Sequence, residues 1–291
     1  MNMEPISKPA YPNLNQSFGI VGIIILLMIG LSPIAFMENV IGKDAANFLY
    51  YVAIMGLSFL IIHKKRFNKT GVSKFQFAKF SPKVLILLIV AVIALQVGVS
   101  SPIINLIPMP DFAKEMFREL SGQKGIFPFL MIVIAAPVLE ELIFRGIILD
   151  GLLKRYSLFI SILASSLLFG IVHLNPWQFV SAMVIGFLAG WVYYKTKNLA
   201  LPMLIHFANN GFAFGSMFFL DTDKMMDQSL AEQYGGMTNF YLITGGAILL
   251  SVGAILLLKA IFQKDAKKEK VFVSIGLERA VVSRDEFDSA E

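Results

Sequence analysis

The ionisable residues that could do chemistry in this chain lie inside apolar stretches. Glu140, Glu141 and Arg145 fall within one such stretch, His173 ends the next, and His206 lies in a third. Ionisable groups within a bilayer cost about 2.5–3.5 kcal/mol each on insertion scales, so they persist where they face a cavity or a partner. Carboxylates and imidazoles are the groups that activate water and transfer protons in hydrolysis. The sequence therefore predicts a hydrolytic site inside a membrane.

Helix geometry separates these groups into faces. Glu141 and Arg145 are four residues apart and share a face, where we expect an ion pair that lowers the cost of burying both charges. Glu140 points about 100° away from Glu141 and has no partner in its own helix, which suits a general acid or base. Pro137 lacks a backbone donor, so we expect the carbonyl of Val133 to be freed and the helix to kink beside Glu140.

Two further spacings of four residues place polar groups on helix faces. Phe169 and His173 form one pair, and His206 and Asn210 form the other. A carboxylate, two imidazoles and an amide can therefore converge from three helices. Each group also has a purely structural interpretation, because polar side chains often hold membrane helices together. Counting about 1.5 Å per residue places His173 on the order of 10 Å nearer the outer surface than Glu140.

The composition assigns these groups to a membrane protein. Hydrophobic residues make up 56% and charged residues 15% of the 291 residues, against about 45–50% apolar and about 25% charged in soluble chains. The formal charge of +5 lies in basic segments that flank apolar stretches, which indicates a membrane surface rather than nucleic acid. The chain contains no cysteine, which excludes disulfides and thiol catalysis.

Apolar stretches near the roughly 20 residues that cross a bilayer predict an all-α fold, a polytopic bundle of about eight transmembrane helices. The predicted spans are Phe18–Met37, Ala45–Ile62, Val84–Ile104, Ile126–Leu149, Leu158–Val172, Phe179–Tyr194, Leu199–Leu220 and Phe240–Phe262. Basic connections follow the second, fourth, sixth and eighth spans, and the others are neutral or acidic. The positive-inside rule then places both termini in the cytoplasm, and we expect a plasma or inner membrane.

These spans divide the chain into three segments. Residues 1–125 hold the first three spans, a cytoplasmic basic loop and an outer interfacial helix, which apolar residues at helical spacing predict at Asp111–Leu120. Residues 126–220 hold the polar groups. Residues 221–291 hold the last span and a charged cytoplasmic tail.

Three short stretches resemble the signatures of the CAAX protease and bacteriocin-processing family of intramembrane glutamic endopeptidases. The first is EELIFR at 140–145, which is similar to Glu-Glu-x-x-x-Arg. The second is FGIVH at 169–173, similar to Phe-x-x-x-His, and the third is HFANN at 206–210, similar to His-x-x-x-Asn. Each signature is weak by itself, whereas all three in order on separate predicted helices are a strong signal.

The resemblance implies a protease without a metal cofactor whose catalytic core is residues 126–220. Glu140 would activate the attacking water, and His173 would hold or polarise that water. His206 and Asn210 would stabilise the oxyanion of the tetrahedral intermediate, a contribution that is large in a low-dielectric site. The supporting residues would be Glu141, Arg145 and Phe169. The substrate would be a membrane-associated peptide or protein, with prenylated and leader-type peptides among the candidates; oligomeric state is left open.

Two other functions fit the same residues. Glu140, His173 and His206 could ligate zinc in a metal-dependent hydrolase, because two histidines and a carboxylate form some catalytic zinc sites. The sequence has no His-Glu-x-x-His motif and these ligands would come from three helices, which argues against zinc. The other alternative is a non-catalytic transporter or bacteriocin-immunity protein, since intramembrane charges also mark ion pathways. The lack of inverted-repeat symmetry argues against a transporter.

Overall fold

The described part of the chain is helical throughout. The computed structural model describes residues 10–288, with only the backbone for Leu120, Thr222, Asp223 and 268–288. No strand occurs among these residues, which confirms the predicted all-α fold. The helices are α1 (Leu14–Ile41, with a 3-10 turn at Ser32–Met37), α2 (Lys43–Thr70), α3 (Pro82–Ile104), α4 (Asp111–Gly122), α5 (Ile126–Leu152), α6 (Leu158–Ile171), α7 (Pro176–Thr196), α8 (Ala200–Ser216), α9 (Thr222–Asp227), α10 (Leu230–Tyr234) and α11 (Met237–Asp288).

Six of these helices are long and apolar enough to cross a membrane: α1, α2, α3, α5, α7 and the 237–267 part of α11. The protein is therefore an integral multi-pass membrane protein. The other two predicted spans correspond to shorter helices, α6 with 14 residues and α8 with 17. The count of eight spans and the side on which the termini lie stay predictions.

Helix α5 lies at the centre of the bundle. One apolar core packs α5 against α1, α2 and α6, and a second packs α3 against α7, α8 and α11. The second half of α5 is buried completely at Phe144, Ile147 and Ile148. Ser165 of α6 donates a hydrogen bond of 3.0 Å to the carbonyl of Phe144. Glu140, Glu141 and Arg145 therefore lie on the side of α5 that faces the protein, whereas Val138 of the same helix is exposed.

Two π-helical turns interrupt α5, at Leu130–Ala135 and at Phe144–Leu149. The α-helical segment between them, Ala136–Ile143, carries Glu140 and Glu141. Such turns shift the register of the backbone hydrogen bonds and are frequent at functional sites. The two carboxylates thus occupy a short regular segment between two irregular ones.

Helix α4 begins at the predicted residue and runs two residues further than Asp111–Leu120. Phe117 packs edge to face against Trp177 at 6.0 Å between ring centres, and Phe112 is exposed. Lys114 donates a hydrogen bond of 2.6 Å to Asp227 at the end of α9. The helix is thus confirmed, and its place at the outer membrane surface stays a prediction.

Candidate active site

Glu140, Glu141 and Arg145 of α5 are buried, and the predicted ion pair between Glu141 and Arg145 is confirmed. Nη1 of Arg145 donates a hydrogen bond of 2.8 Å to Oε1 of Glu141, and both side chains are fully buried. The guanidinium of Arg145 also lies over the ring of Phe169, 4.5 Å from its centre. Because the ring face is electron-rich, it stabilises the cation that the ion pair brings into the bundle.

His206 of α8 lies between the two carboxylates of α5. Its Nδ1 is 3.2 Å from Oε1 of Glu141, and its Nε2 is 3.8 Å from Oε2 of Glu140. The histidine is buried, with 4% of its surface exposed. The structure therefore brings Glu140 and His206 together, as the helix-face argument predicted, and gives Glu141 a second contact that the sequence did not reveal.

Glu140 has a partner on another helix. The hydroxyl of Tyr51 in α2 donates a hydrogen bond of 2.7 Å to Oε1 of Glu140. Among the side chains that the structure describes, none forms a hydrogen bond with the buried Oε2 of Glu140. Tyr51 was not among the predicted site residues, which were charged residues, histidines, Asn210 and Phe169. A tyrosine within an apolar span is itself a signal, because a buried phenol usually has a hydrogen-bond partner.

The ring of Phe169 joins the polar groups of three helices. Besides carrying Arg145 on its face, it packs edge to face against His206 at 5.4 Å, His173 at 5.1 Å and Phe144 at 5.2 Å between ring centres. His173 and His206 thus both pack against one aromatic ring, which connects His173 to the site despite the depth that residue counting gave it.

His173 lies in the turn after α6, which ends at Ile171. Its Nδ1 lies 2.8 Å from the carbonyl oxygen of Phe169, one helical turn earlier. The next residue, Leu174, has φ of 52°, in the left-handed region that non-glycine residues rarely adopt. The backbone thus reverses directly after His173, and the imidazole is held against the last turn of α6.

Asn210 is bonded to the helix that carries Glu140. In the π-helical turn of α5, the N–H of Ala136 donates to the carbonyl of Met131, five residues earlier. The next bond in this register would join residue 137 to Ile132, and Pro137 has no N–H to form it. Nδ2 of Asn210 donates to the carbonyl of Ile132 instead, at 2.8 Å. The helix is thus irregular beside Pro137, as a π-helical turn, and Asn210 supplies a donor to the carbonyl of Ile132. A freed carbonyl at Val133 stays a prediction.

The described residues hold no group of three or more histidines, aspartates and glutamates arranged to bind a metal ion. Glu140 and His206 are neighbours, and His173 and His206 each pack against the ring of Phe169. What the arrangement does hold is two buried carboxylates, one guanidinium and two imidazoles. Carboxylates and imidazoles bind water and move protons, and the guanidinium supplies a fixed positive charge.

Comparison with known proteins confirms the family resemblance for the part of the chain that carries the site. Residues 122–212 match the sequence model of type II CAAX prenyl endopeptidases of the Rce1-like kind. YdiL of Bacillus subtilis, whose name describes a membrane peptidase, is 37% identical over 87 residues, 29% of this chain and 36% of that protein. The membrane-embedded CAAX protease MroQ of Staphylococcus aureus is 34% identical over 94 residues, 30% of this chain and 37% of that protein.

An uncharacterised 24.3 kDa protein of Escherichia coli is 30% identical over 105 residues, 34% of this chain and 48% of that protein. The chain thus spans between about a third and a half of the length of these relatives. No solved structure matches it significantly. Tyr51 lies outside the matched residues, whereas every residue that the sequence predicted for the site lies inside them.

Proposed function

We propose that this protein is an intramembrane endopeptidase that hydrolyses a peptide bond of a membrane-associated peptide with water activated by Glu140. The observation that carries the proposal is the pair formed by Oε2 of Glu140 and Nε2 of His206. Both atoms are buried and they face each other at 3.8 Å. This separation is too long for a direct hydrogen bond, and a water molecule beside the two atoms can contact both of them.

Glu140 is the base in this reaction. Its Oε1 accepts a hydrogen bond from the hydroxyl of Tyr51. This hydrogen bond orients the carboxylate so that Oε2 faces His206. A base that is held in one orientation loses less entropy when the water and the substrate carbonyl are brought together. The water gives one proton to Oε2 while its oxygen bonds to the carbonyl carbon.

His173, His206 and Asn210 have the supporting roles that the resemblance implies. The Nδ1 of His173 faces a backbone carbonyl, so its Nε2 is the nitrogen that can accept a hydrogen bond from the water. Asn210 uses one hydrogen of Nδ2 for Ile132 and keeps a second for the oxyanion. The ion pair of Glu141 and Arg145 and the ring of Phe169 hold these groups in place.

The place of the site restricts the substrate. Glu140 lies in the middle of an apolar helix, so the scissile bond must reach the interior of the bundle. A peptide that is itself anchored in the bilayer meets this requirement without leaving the membrane. Prenylated peptides are one class to test, because the matched family is described by prenyl endopeptidase activity. Leader-type peptides are the second class.

The test is cleavage of both peptide classes by the purified full chain, with Glu140→Gln beside the wild type. Glu115→Gln is the matched control, because Glu115 is exposed on α4, away from the site. We expect cleavage by the wild type and by Glu115→Gln, and a loss of roughly 10³-fold or more in Glu140→Gln, since removal of the base removes the attacking group's activation.

A strong chelator distinguishes a glutamate peptidase from the metal-dependent alternative. Unchanged cleavage in its presence supports activation by the glutamate without a metal, and loss of cleavage that zinc restores supports a metallohydrolase. Cleavage by Glu140→Gln at the wild-type rate contradicts the assignment of Glu140. A wild type that cleaves neither class, while it folds and binds them, supports a non-catalytic protein.

A further inference from the structure

Both histidines of the site have Nδ1 next to an atom that can only accept a hydrogen bond. For His173 this atom is the backbone oxygen of Phe169, at 2.8 Å. For His206 it is Oε1 of Glu141, at 3.2 Å, an oxygen that also accepts the hydrogen bond of Arg145. A carboxylate that is paired with a guanidinium is an acceptor only. Each imidazole therefore carries a proton on Nδ1. This leaves Nε2 as the nitrogen that is available for the chemistry of the site.

We propose that Glu141 is a positioning residue: it keeps the proton of His206 on Nδ1, so that Nε2 is the nitrogen that exchanges a proton with Glu140 and the substrate. The proton exchange rests on the proposed peptidase function, whereas the position of the proton on Nδ1 does not. This assignment gives the two adjacent glutamates different roles. Glu140 acts on water, and Glu141 acts through His206.

The surroundings of His206 support this role for Glu141. The side chain of Glu141 is fully buried, and Arg145, itself fixed on the ring of Phe169, holds its orientation. A buried carboxylate next to Nδ1 fixes the tautomer of an imidazole and stabilises the imidazolium when a second proton arrives at Nε2. The titratable and charged groups around His206 are Glu140, Glu141 and Arg145 from α5, Tyr51 from α2 through Glu140, and His173, which packs on the ring of Phe169 as His206 does.

The proton transfers in this scheme balance. The water oxygen bonds to the carbonyl carbon, the electron pair of the C=O bond moves to the oxygen, and one water proton moves to Oε2 of Glu140. That proton passes to Nε2 of His206, which becomes an imidazolium and donates to the oxyanion. The imidazolium then gives the proton to the leaving nitrogen as the C–N bond breaks and the C=O bond forms again. Glu140 and His206 return to their starting states.

The first test reads the tautomer directly in the folded wild-type protein. Nitrogen-15 spectra of protein labelled at histidine contain three residues, and His63→Gln and His173→Gln assign the signals. We expect His206 to keep its Nδ1 proton across the pH titration and to lose only the Nε2 proton. A neutral His206 with its proton on Nε2 overturns the proposal, whether or not the protein cleaves peptides. The expected tautomer in a protein without peptidase activity would reject the proposed function and leave the positioning role intact.

The second test separates positioning from folding. Glu141→Gln removes the carboxylate from His206 and also breaks the ion pair, so the double variant Glu141→Gln/Arg145→Gln is made beside it. The double change leaves the net charge of the site unaltered, and exchange of a whole buried pair for neutral groups is often tolerated. We expect the double variant to recover thermal stability, while kcat stays about 10²–10⁴-fold below wild type and KM changes little, as for loss of the carboxylate beside a catalytic histidine. Recovery of kcat together with stability would overturn the positioning role.

Discussion

The hydroxyl of Tyr51 donates a hydrogen bond of 2.7 Å to Oε1 of Glu140. This bond joins α2, which carries none of the three signature stretches, to the helix that carries the proposed base. It also determines which carboxylate oxygen faces His206, because Oε1 is occupied and Oε2 is the one at 3.8 Å from Nε2. Helix α2 therefore contributes a functional group to the candidate site rather than lipid-facing surface only.

Replacement of this tyrosine tests the contact. Tyr51→Phe removes the donor and leaves the buried Glu140 without a hydrogen bond to Oε1, at a cost of about 1.5–3 kcal/mol for a bond to a charged group. We expect kcat to fall roughly 10- to 100-fold because the carboxylate is no longer held in one orientation. Peptide cleavage and thermal unfolding in detergent measure the two effects.

The neighbouring tyrosine is the matched control for this prediction. Tyr50 donates a hydrogen bond of 2.6 Å to the backbone oxygen of Met28 and has no contact with Glu140. Tyr50→Phe should lower stability by about 0.5–1.5 kcal/mol, as for an ordinary hydrogen bond, and leave kcat near the wild-type value. Equal kcat for the two variants would contradict the role of Tyr51.

The contact of Asn210 with Ile132 predicts a coupling to Pro137. Asn210→Leu leaves the carbonyl of Ile132 unpaired and should cost about 1–3 kcal/mol of stability. Pro137→Ala restores an N–H that can donate to the same carbonyl, so Asn210→Leu should cost less in that background. A double-mutant cycle measures the difference, which we expect to be about 0.5–3 kcal/mol for neighbours that share a partner.

The same cycle tests the oxyanion role of Asn210. If its second amide hydrogen contacts the intermediate, kcat stays low in Asn210→Leu/Pro137→Ala even where stability is recovered. Strict additivity of the two stability changes would show that Asn210 and Pro137 do not share the carbonyl of Ile132.

Close contact between α7 and the polar groups predicts sensitivity at Gly186. A methyl group on Gly186 would lie 2.9 Å from Oγ of Ser166 and 3.2 Å from Nη2 of Arg145. Gly186→Ala should therefore lower stability by about 1–3 kcal/mol through overpacking and should lower kcat by moving Arg145. Gly215→Ala is the matched control, because a methyl group there meets no atom within 4 Å. Thermal unfolding and cleavage assays of the two alanine variants measure these effects. Equal stability of the two variants would show that a methyl group at position 186 is not crowded by Ser166 and Arg145.

Much of the site was predictable from the sequence, for a physical reason. Charged groups and histidines are so costly in apolar helices that the few present are readily chosen as candidate site residues. Glu140, Glu141, Arg145 and His206 do lie together. Tyr51 was not predicted as a site residue, because a phenol carries no charge and is common in membrane helices. The contact of Glu141 with His206 was not predicted either. Helix periodicity tells which residues of one helix share a face, but it does not give the rotation of the neighbouring helix.

The backbone around Pro137 was predictable only in part. The missing donor of a proline is certain from the sequence, and the expected kink followed from it. Which carbonyl loses its partner depends on whether the preceding turn is α or π, and that choice depends on packing across the helix. Asn210 supplies the compensating donor from 73 positions further along the chain, a pairing that no local pattern contains.

Contacts between loops argue for the predicted eight spans rather than for the six long helices only. The side chain of Asn198 exchanges two hydrogen bonds with the backbone of Ala78, so the connections after α2 and after α7 lie on one side. If α3, α5 and α7 each cross the membrane, these two connections lie on the same side only when α6 crosses as well. Lys114 and Asp227 are likewise hydrogen-bonded, an arrangement that fits the predicted crossing of α8 together with α5, α6 and α7.

A cysteine test distinguishes the two counts, and the natural sequence has no cysteine to interfere. Lys195→Cys is exposed at the end of α7. With cytoplasmic termini, eight spans place it in the cytoplasm, whereas six spans place it outside. Ser73→Cys and Gln228→Cys are the references, because both counts place the first inside and the second outside. We expect an impermeant maleimide to label Lys195→Cys together with Ser73→Cys in inside-out vesicles. Labelling together with Gln228→Cys in right-side-out vesicles would instead show that α6 and α8 do not both cross, which the hydrogen bonds of Asn198 and Lys114 oppose.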